Sequence, residues 1–303
     1  MDAARSTGIS MGDLEGAFTA LITPFQDNGA IDVEGLRANV EYQLERGIAG
    51  VVPMGTTGES ATLSHDEHKK VIDVVIDEVN GKVPVIAGTG SNSTAEAIAL
   101  TNHAVDAGAD YCLMISPYYN KPTQRGLLAH FRAVAAETEG EIILYNVPSR
   151  TGRNMEAATV VELSEIDNIV GVKEASANLE QIMQIIRGAG DNLAVLSGDD
   201  MTTFPILAIG GKGVISVASN IVPNMVQSMV ADFLSGNIEE SRSMHYKLMP
   251  IFKDLFLETN PGPVKEAMNL LGMAAGVLRL PLVTCEDSNR DILRKDLEEL
   301  GLL

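Results

Sequence analysis

The chain has 303 residues, 45% hydrophobic and 21% charged, a balance that excludes disorder and fibrous folds and leaves either one large α/β unit or two average domains. Lys and Arg number 22 against 41 Asp and Glu, a formal charge of −19, which sets the surface against nucleic acid and anionic lipid and suits solubility in concentrated salt. No apolar run approaches the roughly 18 residues of a membrane span, and the opening MDAARSTGISMGDLEG has no continuous apolar stretch like that of a secretory leader. A cytoplasmic protein without membrane or nucleic-acid partners is expected.

Residues 1–13 read as an N-terminal extension. Eight short, β-branched, apolar runs follow as candidate strands: Ala17 to Ile22, Gly50 to Met54, Pro84 to Ala87, Tyr111 to Ile115, Ile142 to Tyr145, Ile169 to Lys173, Ala194 to Ser197 and Gly213 to Ser216. Amphipathic segments lie between them. Val33, Leu36, Val40 and Leu44 share one helical face, and Val71, Ile72, Val75, Ile76 and Val79 make another behind the capping box Ser64-x-x-Glu67. Ser93 and Glu96 repeat that box ahead of a third helix. Strict strand-helix alternation means parallel strands. Eight units without a composition break predict a closed (β/α)8 TIM barrel over 14–222, and the absence of a GxGxxG turn after the first strand weakens the open, doubly wound alternative.

Beyond Ser219 the pattern is helical only. Met225 to Leu234 ends at Gly236, Ile238 to Leu257 contains Pro250, Pro263 suits a helix first turn, and Asp287 to Leu300 closes the chain. Residues 223–303 are expected to form a C-terminal helical appendage on the barrel, useful for assembly.

In such a barrel the chemistry lies at the carboxyl ends of the strands. Polar clusters occupy those ends: Gly55-Thr56-Thr57-Gly58-Glu59-Ser60, Ser116-Pro117-Tyr118-Tyr119-Asn120, Tyr145-Asn146-Val147-Pro148-Ser149-Arg150 and Ser197-Gly198-Asp199-Asp200. The sixth run ends in Lys173. Burial disfavours an ammonium, and a neutral amine attacks a ketone carbon to form an iminium. The competing reading is a lysine whose stem lies along the wall with its head in water. Lys82 and Lys212 precede their strands and so sit at the opposite rim, which leaves Lys173 as the lysine both strand-borne and on the catalytic side. An iminium mechanism needs a proton carrier, and Tyr145, one strand earlier at the same level, is the neighbour to expect, with Thr57 and Tyr119 able to extend a hydroxyl chain. Each tyrosine is equally readable as an amphipathic ring at a barrel rim. Arg150 is placed to grip a carboxylate bidentately, or to be a solvated loop arginine.

Other catalytic equipment is missing. His65 and His68 are three apart without an HExxH pattern or a third ligand, so no metal site is read. There is no GxSxG elbow or P-loop ending, and Cys112 and Cys285 form no CxxC and have no assignable histidine partner. Lysine chemistry without a cofactor is what remains.

The segments GTTGES at 55–60, PYYNKPTQ at 117–124, YNVPSRTG at 145–152, VGVKEAS at 170–176, SGDD at 197–200 and GGKGVISVASN at 210–220 together resemble the dihydrodipicolinate synthase family from about Leu14 onward. The resemblance implies that Lys173 forms a Schiff base with pyruvate, that Tyr145, Thr57 and Tyr119 relay protons, with Tyr119 reaching a partner subunit's site, and that the enamine attacks L-aspartate-4-semialdehyde. It further implies Arg150 on the semialdehyde carboxylate, Thr56 and Thr57 on the pyruvate carboxylate, and backbone groups of Gly198 and Ile215 around the relay. A homotetramer, a dimer of dimers, is the implied assembly. Ser60, Ala61, His65, His68, Asn92, Glu96 and Tyr118 match the cleft where feedback-sensitive members bind L-lysine as an inhibitor, although Glu96 has a competing use as a capping residue. The related N-acetylneuraminate lyase and 2-keto-3-deoxygluconate aldolase families share the lysine and tyrosine, but usually lack arginine in the stretch matching Pro148 to Gly152. A second carboxylate rewards that guanidinium, whereas a polyhydroxy chain does not. A non-catalytic keto-acid-binding scaffold would predict broken chemistry, and the lysine, tyrosines and arginine are all in place.

Overall fold

The structure, a computed structural model, describes residues 14–303, so the expected extension over 1–13 lies outside the described residues. A strand stands at each of the eight apolar runs: β1 (Gly16–Ala20), β2 (Gly50–Val52), β3 (Ile86–Gly88), β4 (Tyr111–Ile115), β5 (Glu141–Asn146), β6 (Ile169–Glu174), β7 (Ala194–Ser197) and β8 (Gly213–Ser216). All pair in parallel in the order β2-β1-β8-β7-β6-β5-β4-β3, and a parallel bridge from Val51 to Val85 joins the two ends of that order. The result is a (β/α)8 barrel. Its closure needs backbones to pass close together: a side chain at Gly88 would fall on the Met54 carbonyl oxygen, and one at Gly213 on that of Gly16, so only glycine fits at these two contacts.

The two-residue period of the strands sorts side chains into two cores. Phe18, Ala20, Val52, Ile86, Tyr111, Leu113, Ile143 and Leu196 fill the barrel, while Ala17, Val51, Ala87, Cys112, Ile142, Leu144, Val172 and Val195 face the helices. Tyr145 and Lys173 are paired across β5 and β6. Both therefore point inward, and their successors Asn146 and Glu174 point outward. A carboxylate buried against the helices would be costly without partners. Glu174 has them: Asn146 Nδ2 donates to both its oxygens (3.1 and 3.0 Å), Gln181 Nε2 donates at 3.1 Å and the Ser176 N–H at 2.7 Å.

Helices begin where the sequence places them, with one change of mechanism. Ser64 and Glu67 form a reciprocal capping box ahead of the helix His65–Val79. Ser93 precedes the helix Thr94–Ala107, yet its side chain caps nothing. The expected second box is absent because Glu96 accepts instead from Ser91 Oγ at 2.8 Å, and that same oxygen accepts from the Ser93 N–H at 3.1 Å.

After β8 come the helices Pro223–Leu234, Ile238–Asp254, Gly262–Leu270 and Asp287–Glu299, with Pro250 inside the second and Pro263 in the first turn of the third. The first of them covers β1, where Gln227 Oε1 accepts from the Ala17 N–H at 2.8 Å, and so acts as the barrel's eighth helix. No helix among the described residues is long and apolar enough to cross a membrane.

Where the second and fourth of these helices meet, Asp296 is buried close to Asp254. Burial and the charges of Asp254 and Glu299 raise its pKa above the ordinary aspartate range, against the pull of Lys295. The folded state thus keeps this proton longer than the unfolded chain does, and stability falls as pH rises from the ordinary range through the raised value. Asp296→Asn is expected to raise Tm at neutral pH by about 2–4 °C, the effect of roughly 1 kcal/mol in a large domain, and to lose that advantage at about pH 3, below the ordinary aspartate value, where the folded and unfolded parent both carry the proton. A calorimetric series giving the same Tm difference at both pH values would refute the raised pKa of Asp296 as the cause.

Candidate active site

Lys173 reaches the barrel's upper end from β6, with 7% of its surface exposed. Its Nζ lies 4.3 Å from the centroid of the Tyr145 ring. On the β7 side a side chain at Gly198 would press on Lys173 Cγ at 3.1 Å and on Ala175 Cβ at 2.7 Å, so the glycine leaves the space the lysine stem occupies. Burial brings the amine's pKa down to about 7, Asp200 works against that fall, and Arg150 adds to it. Near neutral pH a large share of the amine is therefore unprotonated and nucleophilic.

Burial raises the Tyr145 phenol, while the charge of Arg150 and a hydrogen bond with the Thr56 hydroxyl lower it. Tyr145 is thus held as a phenol, a donor and acceptor able to pass a proton without becoming a free base. Asp200 is the buried carboxylate that acts on the lysine. Its Oδ2 accepts from the Val217 and Ala218 N–H groups, both at 3.0 Å, and burial pushes it up to about 6 against the stabilising Ser216 hydroxyl and these N–H groups. The SGDD segment marked this strand end in the sequence, but nothing there distinguished Asp200 from Asp199.

The two threonines after β2 have different neighbours. The turn is closed by Gly58 N–H to Gly55 O at 3.2 Å and Glu59 N–H to Thr56 O at 3.1 Å. It turns Thr56 towards Tyr145 and buries Thr57, whose Oγ1 accepts from Asn260 Nδ2 at 3.0 Å. Thr56, expected on the pyruvate carboxylate, is therefore the hydroxyl beside Tyr145. Arg150 stands in the short helix Pro148–Thr151, and its Nη2 reaches Asn260 O at 3.5 Å. Tyr119 is 88% exposed and takes no part in the cavity wall. The Gly198 N–H donates to Glu174 O at 2.8 Å, and Ile215 lies in the barrel core on β8.

A cavity of about 450 Å³ opens over these groups, lined by Thr56, Tyr145 and Arg150 and continuing along Ser60, Ala61, His65, His68, Glu96 and Tyr118. Six of the seven residues matched to a lysine cleft thus share one cavity with the barrel mouth. Asn92 is not in its wall; its carbonyl accepts from Asn120 Nδ2 at 2.8 Å. His68 Nε2 sits 2.7 Å from Gly88 O, and burial lowers its pKa against the opposing effect of that carbonyl. Burial and then the Glu96 charge raise Tyr118.

Sequence reasoning missed Asn260. It is buried, bonds to Thr57 and Arg150, and its Oδ1 has no hydrogen-bond partner. Thr259, Pro281 and Leu282 of the C-terminal region join it in the wall. The TNPGP run signals a turn before a helix, but not which part of the barrel that turn approaches.

The model of the dihydrodipicolinate synthetase family matches residues 13–300. The chain is 56% identical over 285 residues to the 4-hydroxy-tetrahydrodipicolinate synthase of Methanothrix thermoacetophila, covering 92% of this chain and 96% of that protein. Its fold is similar to the chloride-inhibited dihydrodipicolinate synthase of Acinetobacter baumannii complexed with pyruvate, at 40% identity and a TM-score of 0.94 over 96% of this chain and 100% of that one. It is equally similar to the dihydrodipicolinate synthase of Cyanidioschyzon merolae with lysine bound, at 43% identity and a TM-score of 0.94 over 96% and 99% of the two chains. Agreement that runs through the barrel and on into the C-terminal helices goes beyond a shared architecture: the chain belongs to the dihydrodipicolinate synthetase family.

Proposed function

We propose that the protein is a 4-hydroxy-tetrahydrodipicolinate synthase that condenses pyruvate with L-aspartate-4-semialdehyde through a Schiff base on Lys173. The observation that carries this reading is a buried amine with its pKa brought to about 7 at the end of β6, directly beside a tyrosine. The unprotonated amine attacks the keto carbon of pyruvate, loss of water gives the iminium, and removal of a methyl proton gives the enamine. Tyr145, with the Thr56 hydroxyl at its side, carries those protons. The enamine carbon then adds to the aldehyde of the second substrate, whose carboxylate Arg150 holds. The substrate's own amine displaces Lys173 from the iminium carbon and closes the ring, so each turnover releases one water and restores the lysine.

The reading extends to regulation and assembly. L-lysine fits the part of the cavity near Glu96, whose carboxylate suits an ammonium group, and a relative has been solved with lysine bound. Self-association into a dimer of dimers would bring an otherwise exposed Tyr119 to the site of a second copy. A cytoplasmic location suits a biosynthetic enzyme of this kind.

Borohydride reduction with pyruvate should attach a stable three-carbon adduct to Lys173, and Lys173→Ala should give neither adduct nor turnover. In parallel, Arg150→Ala should keep the adduct while kcat/KM for the semialdehyde falls about 10- to 100-fold, the loss of a charge-assisted hydrogen bond. Faster turnover of a sugar-acid aldehyde than of the semialdehyde would displace the substrate assignment.

Because Lys173 must be unprotonated to attack, kcat/KM for pyruvate is expected to rise with pH through about 7. The Asp200 charge raises the lysine's pKa, so Asp200→Asn should move that limb to lower pH; a profile that stays in place would dismiss Asp200 as the tuning charge. Glu96→Ala should raise the lysine concentration needed for half-inhibition about 10-fold, as expected for one lost charge contact, and an unchanged inhibition curve would place the effector elsewhere.

A further inference from the structure

The turn that carries Thr56 and Thr57 ends in Glu59, whose backbone lies in the left-handed region at φ 54° and ψ 33°. Residues with a side chain adopt that conformation only against a steric cost, so something must hold it. The Glu59 carboxylate is wholly buried and meets Lys265 Nζ at 2.8 Å, the two side chains being 0% and 1% exposed. Lys265 belongs to the C-terminal helix Gly262–Leu270. Its ammonium has three N–H groups, and each has a different partner: Glu59 Oε1, Thr23 O at 3.0 Å and Val277 O at 2.6 Å. The second oxygen of Glu59 accepts from the Arg279 N–H at 3.1 Å. Both cations stand over the Phe25 ring, Lys265 Nζ and the Arg279 guanidinium carbon each 4.5 Å from its centroid. Every hydrogen of the ammonium and both carboxylate oxygens are therefore used, and beyond the pair itself the bonds run to two segments, one at Thr23 and one at Val277 and Arg279.

Stability alone does not account for this arrangement, since a buried ion pair exchanged for apolar groups of similar volume is often neutral or stabilising. Direction does account for it. Thr23 Oγ1 also donates to Gly58 O at 2.7 Å, and Glu59 N–H closes the turn on Thr56 O. The four residues from Gly55 to Gly58 are thus pinned at one end by β2 and at the other by Glu59. Five residues before Lys265, on the same segment, Asn260 holds the Thr57 hydroxyl.

We infer that the buried Lys265–Glu59 pair is a positioning device through which the C-terminal helix sets the Thr56 and Thr57 hydroxyls at the barrel mouth. The two side chains are buried, at 0% and 1% exposed, although the Glu59 residue borders the cavity. The inference rests on the proposed pyruvate chemistry, in which those hydroxyls meet the pyruvate carboxylate and Tyr145.

Two variants test it in the full-length enzyme: the charge-free double variant Glu59→Gln/Lys265→Met, and Glu59→Asp, which keeps the charge on a side chain one methylene shorter. In each, kcat is expected to fall about 10- to 100-fold, the usual consequence of a misplacement near 1 Å, and KM for pyruvate to rise. Borohydride should still label Lys173 fully at saturating pyruvate. A purely structural role would instead lower the amount of active enzyme and leave KM for pyruvate unmoved, because the surviving folded molecules would have the parental site. Parental kcat and KM in either folded variant overturns the inference, as does failure of both to fold, which would make the pair a determinant of the fold. Absence of a pyruvate adduct in the unaltered enzyme would reject the underlying chemistry and is read independently of the variants.

Discussion

In the role proposed for it, as a nucleophile that then carries a positive charge, Lys173 faces two opposed requirements, and the barrel has to meet both at one atom. At its ordinary pKa of 10.5 the amine would be unprotonated in only about one molecule in 3,000 at neutral pH, whereas at about 7 it is unprotonated in roughly half. Burial supplies that change. The same burial would penalise the cationic iminium if nothing compensated it. Two features of the site favour the cation without restoring water: the face of the Tyr145 ring 4.3 Å from Nζ and the Asp200 carboxylate. Asp200 can remain a carboxylate in the interior because two backbone N–H groups at the end of β8 hold one of its oxygens. A lysine set among apolar residues alone would attack readily and then be poorly matched to its own product.

Strand parity is what puts these groups in one place. Lys173 and Tyr145 are register partners on adjacent parallel strands, so a shift of one residue in β6 would turn the lysine into the helical layer and bring Glu174 into the barrel. The outward network that saturates Glu174 opposes such a shift, because the carboxylate would leave Asn146, Gln181 and the Ser176 N–H behind. A polar cluster on the helix side thus helps to fix the register of the catalytic side.

What could be read in the sequence follows from the same geometry. The eight strands were legible because β-branched apolar runs recur between amphipathic segments, and even β2 and β3, only three residues long, stood out. Lys173 and Tyr145 were legible because both lie at the end of a run, where parity and level can be counted. Thr56 and Thr57 were distinguishable from each other only by the turn's own hydrogen bonds, since neighbouring residues in a tight turn point in different directions. Glu96 satisfied the capping pattern but was taken by Ser91, a competition between two local acceptor geometries that the pattern does not rank. Asn260 and Lys265 were not legible at all. Their partners lie 203 and 206 residues away, and no local periodicity encodes a contact at that distance.

Those remote contacts divide the site into two kinds of part. The groups proposed to make and break bonds stand on strands or directly at strand ends, where the barrel's hydrogen-bond ladder fixes them. Arg150, proposed to select the second substrate, sits on a four-residue helix whose N-terminus has no side-chain cap, a fragment too short to be rigid by itself. It borrows order from Asn260, which the C-terminal helical region presents to the mouth. The turn bearing Thr56 also leads directly into Ser60 and Ala61, so a ligand lying along Glu96 and His68 would press on the residues next to that hydroxyl. The helical region beyond the barrel is therefore part of the site's construction, and under the proposed roles substrate choice depends on how well it docks while the lysine chemistry depends on the barrel.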